Sequence, residues 1–277
     1  MAGAVLLEFA ILALVFYLLL ATLISFGHLF FTAQAVQDGA RLGALELART
    51  PLPAEYTFDQ ALASSIVRQR IYDPGLLVVD LDNIPGGVTL DEYFRNAPVL
   101  NQALWPVMVV QRIGGRRLLH YPGALLEDPS TPTGLRVAIP VVRGRDADGV
   151  ETISWVEPVE EIRADPEVSP FRLNAAGTQQ GIVALRVNYP YQSAALSGFR
   201  EAAGGPFEPN AARPIEADPG AVTQLPGDVR SVRADTGDVG PYAGPYGLGR
   251  LKALGKDVRP FRRLLSAQAV FRREVFE

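Results

Sequence analysis

FAILALVFYLLLATLISFGHLFF fills residues 9 to 31 and carries no charged side chain apart from the titratable His28. At about 1.5 Å per residue it makes roughly 34 Å of helix, enough to cross a bilayer. A cleaved signal peptide is the alternative, and Ala33-Gln34-Ala35 offers a small-residue cleavage site. Against it, no basic stretch precedes the run, and the run exceeds a signal core of about 7–15 residues. The reading is therefore a retained anchor. Just ahead of it lies GAVLLEF, residues 3 to 9, with one carboxylate, Glu8. A charge at the edge of a membrane segment is expensive and by default points to function.

Helical patterning continues past the apolar run. TAQAVQDGARLGALELART, residues 32 to 50, meets no breaker stronger than its two glycines until Pro51. Ala35, Gly39 and Gly43 share one face, and Val36, Ala40, Gly43 and Leu47 form an adjoining apolar stripe. Small residues four apart let helices approach closely. The stripe therefore serves either a spine packed against related helices or a seat for the chain's own soluble region, turn by turn.

Beyond Pro51 and Pro53, TFDQALASSIVRQRIY (57–72) reads as one amphipathic helix capped by Thr57, with Phe58, Leu62, Ile66 and Arg70 on one face. GLLVVDLDN (75–83) alternates as a half-buried strand. A further helix spans 89–104 with a break near Pro98. Hairpins follow over 107–121 and 135–156, then a strand over 181–189. Near the end, Leu265, Ala267, Ala269 and Phe271 alternate with Ser266, Gln268, Val270 and Arg272, a strand returning to the sheet. Residues 202–248 are rich in Gly, Pro and Asp and lack apolar periodicity. The expected architecture is α+β, a long N-terminal transmembrane and spine helix followed by a mainly antiparallel-sheet head. Its divisions are 1–50, a head at 51–201, an irregular insertion at 202–248, and a C-terminal segment at 249–277.

The motif around the apolar run resembles the TadE-like family, minor pilins or pseudopilins of the tight-adherence (type IVc) pilus system. The residues that carry the resemblance are Gly3, Glu8 and Phe9, the apolar helix, then Gln34, Gln37, Ala40 and Arg41. The basic residues that such proteins carry ahead of the Gly have no counterpart in Met1-Ala2-Gly3. The resemblance implies a pilin-like fold and processing by a prepilin peptidase between Gly3 and Ala4. It implies partners among other pilins or pseudopilins, platform proteins and the membrane. It also makes Glu8, with Phe9 beside it, a register residue that meets the N-terminal amine of a neighbouring subunit. By flanking arginines alone, Arg41 and Arg49 place the C-terminal side in the cytoplasm. The family implies the reverse, an inner-membrane protein with its head outside, and that reading is followed.

No catalytic constellation stands out, and the expectation is a protein that is not an enzyme and uses no cofactor or metal. The chain has no cysteine and only two histidines, His28 and His120, which removes thiol chemistry and zinc ribbons. His120 reads as a structural or surface residue. Asp146-Ala147-Asp148-Gly149 reads as a hairpin turn rather than a calcium loop. Asp80 and Asp82 read as a solvated sheet face, and Glu157, Glu160 and Glu161 as surface charge. The C-terminal arginines, Arg259 to Arg273, are expected to pair with acidic neighbours. A net charge of −4 gives no case for nucleic acid. A membrane-anchored envelope binding module unrelated to pili is the alternative function.

Overall fold

The computed structural model describes residues 2–113, 115–128, 131–145, 151–164, 168–174, 180–191 and 263–274. The insertion at 202–248 and the turn at 146–149 lie outside the described residues.

Helix α1 (Ala2–Arg49) is one uninterrupted element of 48 residues, roughly 72 Å long. Pro51 and Pro53 end it as expected, because proline can neither donate nor fit into a continuing helix. Over its second half α1 lies against the head, with Val36, Ala40, Ala44, Leu47 and Ala48 buried.

Helix α2 (Phe58–Ala63) is capped by Thr57 in both directions. The Gln60 N–H donates to Thr57 Oγ at 3.2 Å, and the Thr57 N–H donates to Gln60 Oε1 at 2.9 Å. The single helix read over 57–72 is corrected here. Ser64 adopts extended dihedrals of −68° and 145°, and a separate α3 (Ser65–Arg70) follows. The Ser64 hydroxyl and its N–H both donate to the Ala61 carbonyl, a local bond that competes with helix continuation. The break rotates the buried face to Phe58, Ala61, Val67 and Ile71, and leaves Leu62 and Ile66 partly buried. Helices α4 (Leu90–Arg95) and α5 (Val99–Leu104) flank Pro98, as the sequence indicates.

Among the described residues, the head holds three antiparallel three-stranded sheets. The first orders β1 (Val78–Asp80), β3 (Arg116–His120) and β2 (Val109–Ile113), with β3 in the middle. Strand β1 is shorter than its alternation suggests, because Pro74–Leu77 forms a 3-10 turn capped by Asp73. It is also covered on both faces: Val78 joins the main core, and Val79 packs with Phe94 and Leu119. The second sheet orders β4 (Ala124–Glu127), β5 (Leu135–Arg145) and β6 (Glu151–Val156). The third orders β7 (Val159–Glu161), β8 (Ile182–Pro190) and β9 (Leu264–Arg272).

Sheet β7-β8-β9 and helix α5 form the bed on which α1 lies. Strand β9 turns Ala267 into the core, while Leu265, Ala269 and Phe271 pack against it. At the far end of β9 the Glu274 N–H donates to the Ala48 carbonyl at 2.8 Å. The sheet is thereby tied to the last turn of α1. Tyr121 is the largest fully buried side chain. Its hydroxyl donates to the Asn188 carbonyl at 2.9 Å, and the Tyr189 hydroxyl donates to Val107 O at 3.1 Å. The pair meets edge to face at 5.5 Å, which joins the first and third sheets just past β3 and near the end of β8.

Candidate functional site

The N-terminal half of α1 is the one part of the described chain whose sequence is apolar and whose surface is open. From Leu7 to Phe31 the large apolar side chains are exposed except Leu29, which packs at the core's edge, and almost none of the span is buried inside the protein. A soluble core helix of this composition would be covered on most sides. The helix is long and apolar enough to cross a membrane.

Gly3 and Ala4 fall in the first turn of α1. Glu8 and Phe9 follow within it, and both are exposed. The small-residue face lies elsewhere. Gly39 and Gly43 are buried, and Ala35 packs at the core's edge. A Cβ on Gly39 would meet Leu100 and Leu104 at 3.2 Å, and one on Gly43 would meet Leu100 at 3.1 Å. The covering element is α5 of the same chain. At these turns the glycines seat the chain's own head, one of the two coverings their spacing allows.

Several charged residues differ from their sequence reading. Glu160 and Glu161 are buried, not surface charge. Glu160 pairs with its cross-strand partner Arg186 at 3.2 Å. Glu161 Oε1 accepts from Ser169 Oγ at 2.7 Å and from the Phe171 N–H at 3.1 Å, and Oε2 accepts from Arg163 Nε at 2.6 Å. Burial pushes the Glu161 carboxyl above its ordinary value, against the three donors that oppose it. Arg163 also reaches Asp59 at 2.8 Å, which ties α2 to this cluster. Arg273 is buried and, among the described residues, pairs with backbone rather than with acids. It donates to Phe171 O at 3.0 Å and Leu52 O at 2.6 Å, and its guanidinium stands 4.3 Å above the Phe171 ring. Asp82 accepts from Arg117 Nε at 2.8 Å, and Asp80 lies 3.8 Å from Arg116. The two acids are thus engaged by β3, and Asp80 is buried.

His120 is buried, with Nδ1 2.7 Å from the Tyr121 carbonyl oxygen and Nε2 3.0 Å from Gln111 Oε1. The carbonyl fixes the proton on Nδ1. Burial lowers its pKa from the ordinary 6.5. The folded protein therefore refuses a proton that the unfolded chain accepts, so this stabilisation holds above 6.5 and fades as pH falls through the folded value. The urea midpoint is expected to fall on going from pH 7.5 to about 5.5, and His120→Gln to flatten that slope. An identical slope in the variant would assign the pH dependence to other groups.

Sequence reasoning missed β4, β7 and the Glu161 and Arg273 clusters. The segments YPGALLEDP and ETISWVEPVEE that contain the two strands stand out in the sequence without a periodic signal. The comparison with known families agrees with the residues that carry the resemblance. Residues 3–45 match the family model described as TadE-like protein. No curated protein and no solved structure matches the chain. The N-terminal part of the chain thus carries a TadE-like segment on a helix fit to be a membrane anchor.

Proposed function

We propose that the chain is a non-enzymatic, membrane-anchored, pseudopilin-like subunit that takes part in tight-adherence pilus assembly. The observation that carries this reading is the exposed apolar half of α1 with Glu8 at its head, inside the segment matched to the TadE-like model. A head packed on the second half of α1 leaves the first half as a projecting rod. Such a rod suits lateral packing among helices once subunits leave the bilayer. The partners in this reading are a prepilin peptidase acting between Gly3 and Ala4, other pilins or pseudopilins, and platform proteins. The protein sits in the bacterial inner membrane with its head outside the cytoplasm. The absence of an enzymatic role is part of the proposal. It is supported by the way Glu161, Glu160 and Arg273 spend their charges on internal contacts.

Glu8 is the residue to test. A carboxylate entering an apolar bundle needs a cationic partner, and the new amine of a neighbouring subunit supplies one. Glu8→Ala is expected to abolish incorporation into pili while membrane insertion stays at the wild-type level, read by fractionation and by piliation. Unchanged piliation would overturn the register role and favour an envelope module unrelated to pili. N-terminal sequencing of the mature protein checks processing separately, with a start at Ala4 expected.

A further inference from the structure

The head meets α1 before the apolar run ends. The Tyr191 hydroxyl donates to the Ser25 carbonyl at 3.1 Å, and its ring lies 5.9 Å from His28. Leu29 packs on the core, and Thr32 is fully buried. The other side of these turns is apolar and open. Leu23, Phe26, Phe30 and Phe31 are 64%, 55%, 68% and 52% exposed, and Phe26 stacks on Phe30 at 6.4 Å.

Length decides what covers that face. Glu8 to Ile24, ahead of the Tyr191 contact at Ser25, makes roughly 25 Å of helix, short of a hydrocarbon core of about 30 Å. Counted from Glu8, that thickness is reached near His28, within the stretch flanked by the head. The next exposed polar side chain after Phe31 is Gln34.

We propose that the head is seated in the bilayer interface, with Leu23, Phe26, Phe30 and Phe31 facing lipid while the Tyr191 end of the head stands at headgroup level. The inference rests on reading α1 as the anchor. Tyr191 is itself buried against α1, and the exposed His28 beside it suits that depth, where an apolar ring and a polar edge are both satisfied. Arg263 is exposed at the same end of the head, where its carbonyl accepts from the Tyr191 N–H at 3.2 Å. A guanidinium there suits lipid phosphate. The rival occupant is the helix of a second copy. Close helix pairs favour small residues, whereas this face presents phenylalanine and leucine.

The chain has no cysteine, so each single-cysteine variant of the full chain carries one spin label. Labels at Leu12, Leu19, Phe26, Phe30, Phe31 and Gln37 are compared in phosphatidylethanolamine–phosphatidylglycerol vesicles. Relaxation by oxygen reports lipid, and relaxation by a water-soluble nickel chelate reports water. At Phe26, Phe30 and Phe31 oxygen is expected to dominate nickel several-fold, as at Leu12 and Leu19, with the order reversed at Gln37. Nickel dominance at Phe26, Phe30 and Phe31, with Leu12 and Leu19 still lipid-exposed, would overturn the seated head and leave the anchor standing. Nickel dominance at Leu12 and Leu19 as well would overturn the anchor itself. Labels at Phe26 and Phe31 that neither agent relaxes, with dipolar broadening between labels, would assign the face to a second copy.

Discussion

Arg273→Ala is expected to lower the stability of the head by about 4 kcal/mol, more than any surface charge removal in the protein. Arg273 lies just past β9 with 5% of its surface exposed. Its two outer nitrogens reach the carbonyls of Phe171 and Leu52, and it covers the Phe171 ring. One side chain therefore joins the C-terminal strand, the Ser169–Leu173 loop and the exit of α1. Alanine would strand the Phe171 carbonyl in a buried site and the Leu52 carbonyl in a partly buried one, and open a gap above Phe171, whose ring also packs edge to face with Phe58 at 6.1 Å. Burial pulls the guanidinium pKa below its ordinary value, yet Arg stays charged throughout the accessible range, so the loss should not depend on pH. A lysine offers a point charge with no planar fork, and Arg273→Lys should recover only part of the loss. The neighbouring pair Arg49–Glu274 gives the contrast. At 3.7 Å with both side chains more than half exposed, it is worth about 0–1 kcal/mol. Thermal melts should place Arg273→Ala roughly 10 °C below wild type and Glu274→Ala beside it. A melt for Arg273→Ala within two or so degrees of wild type would show that the three-way tie carries little of the stability.

Patterns that survive folding were legible in the sequence. The apolar run, the prolines that stop α1, the Thr57 cap, the break at Pro98 and the alternation of β9 each follow from backbone geometry within a few residues. What was not legible depends on residues far apart in the chain. Glu161 looks like one acid in an exposed cluster until Ser169 and Phe171 fold over it. Arg273 looks like part of a basic tail until Leu52 and Phe171 come within reach, more than a hundred residues earlier. Strands β4 and β7 hold 4 and 3 residues, too few for a period of two to show. Ser64 breaks a helix whose spacing on either side is sound, because its hydroxyl prefers the Ala61 carbonyl. The candidate site divides the same way. Glu8 and the exposed half of α1 are readable from the chain alone, whereas the use of the glycine face needed the position of α5.

That face yields the last expectation. Gly43→Leu should destabilise the head by about 2 kcal/mol, and the sign follows from two opposed effects. Glycine in a helix interior costs about 1 kcal/mol relative to a good helix former, so the substitution gains that much locally. It must also place a branched side chain where a Cβ alone would lie 3.1 Å from one Leu100 methyl and 3.5 Å from the other. Leu100 is itself fully buried and has little room to yield, and overpacking such a contact costs about 3 kcal/mol. The net loss should appear as a lower urea midpoint with an unchanged slope, followed by fluorescence of the two tryptophans, of which Trp105 adjoins α5 and stacks on Phe94 at 5.4 Å. Were the glycines kept for packing between subunits, the single subunit would tolerate leucine and only assembly would fail. An unchanged midpoint together with lost piliation would therefore overturn the seating of α1 on α5. A lowered midpoint would leave lateral contacts between subunits to the turns ahead of Thr32, where α1 is bare on every side that the head does not reach.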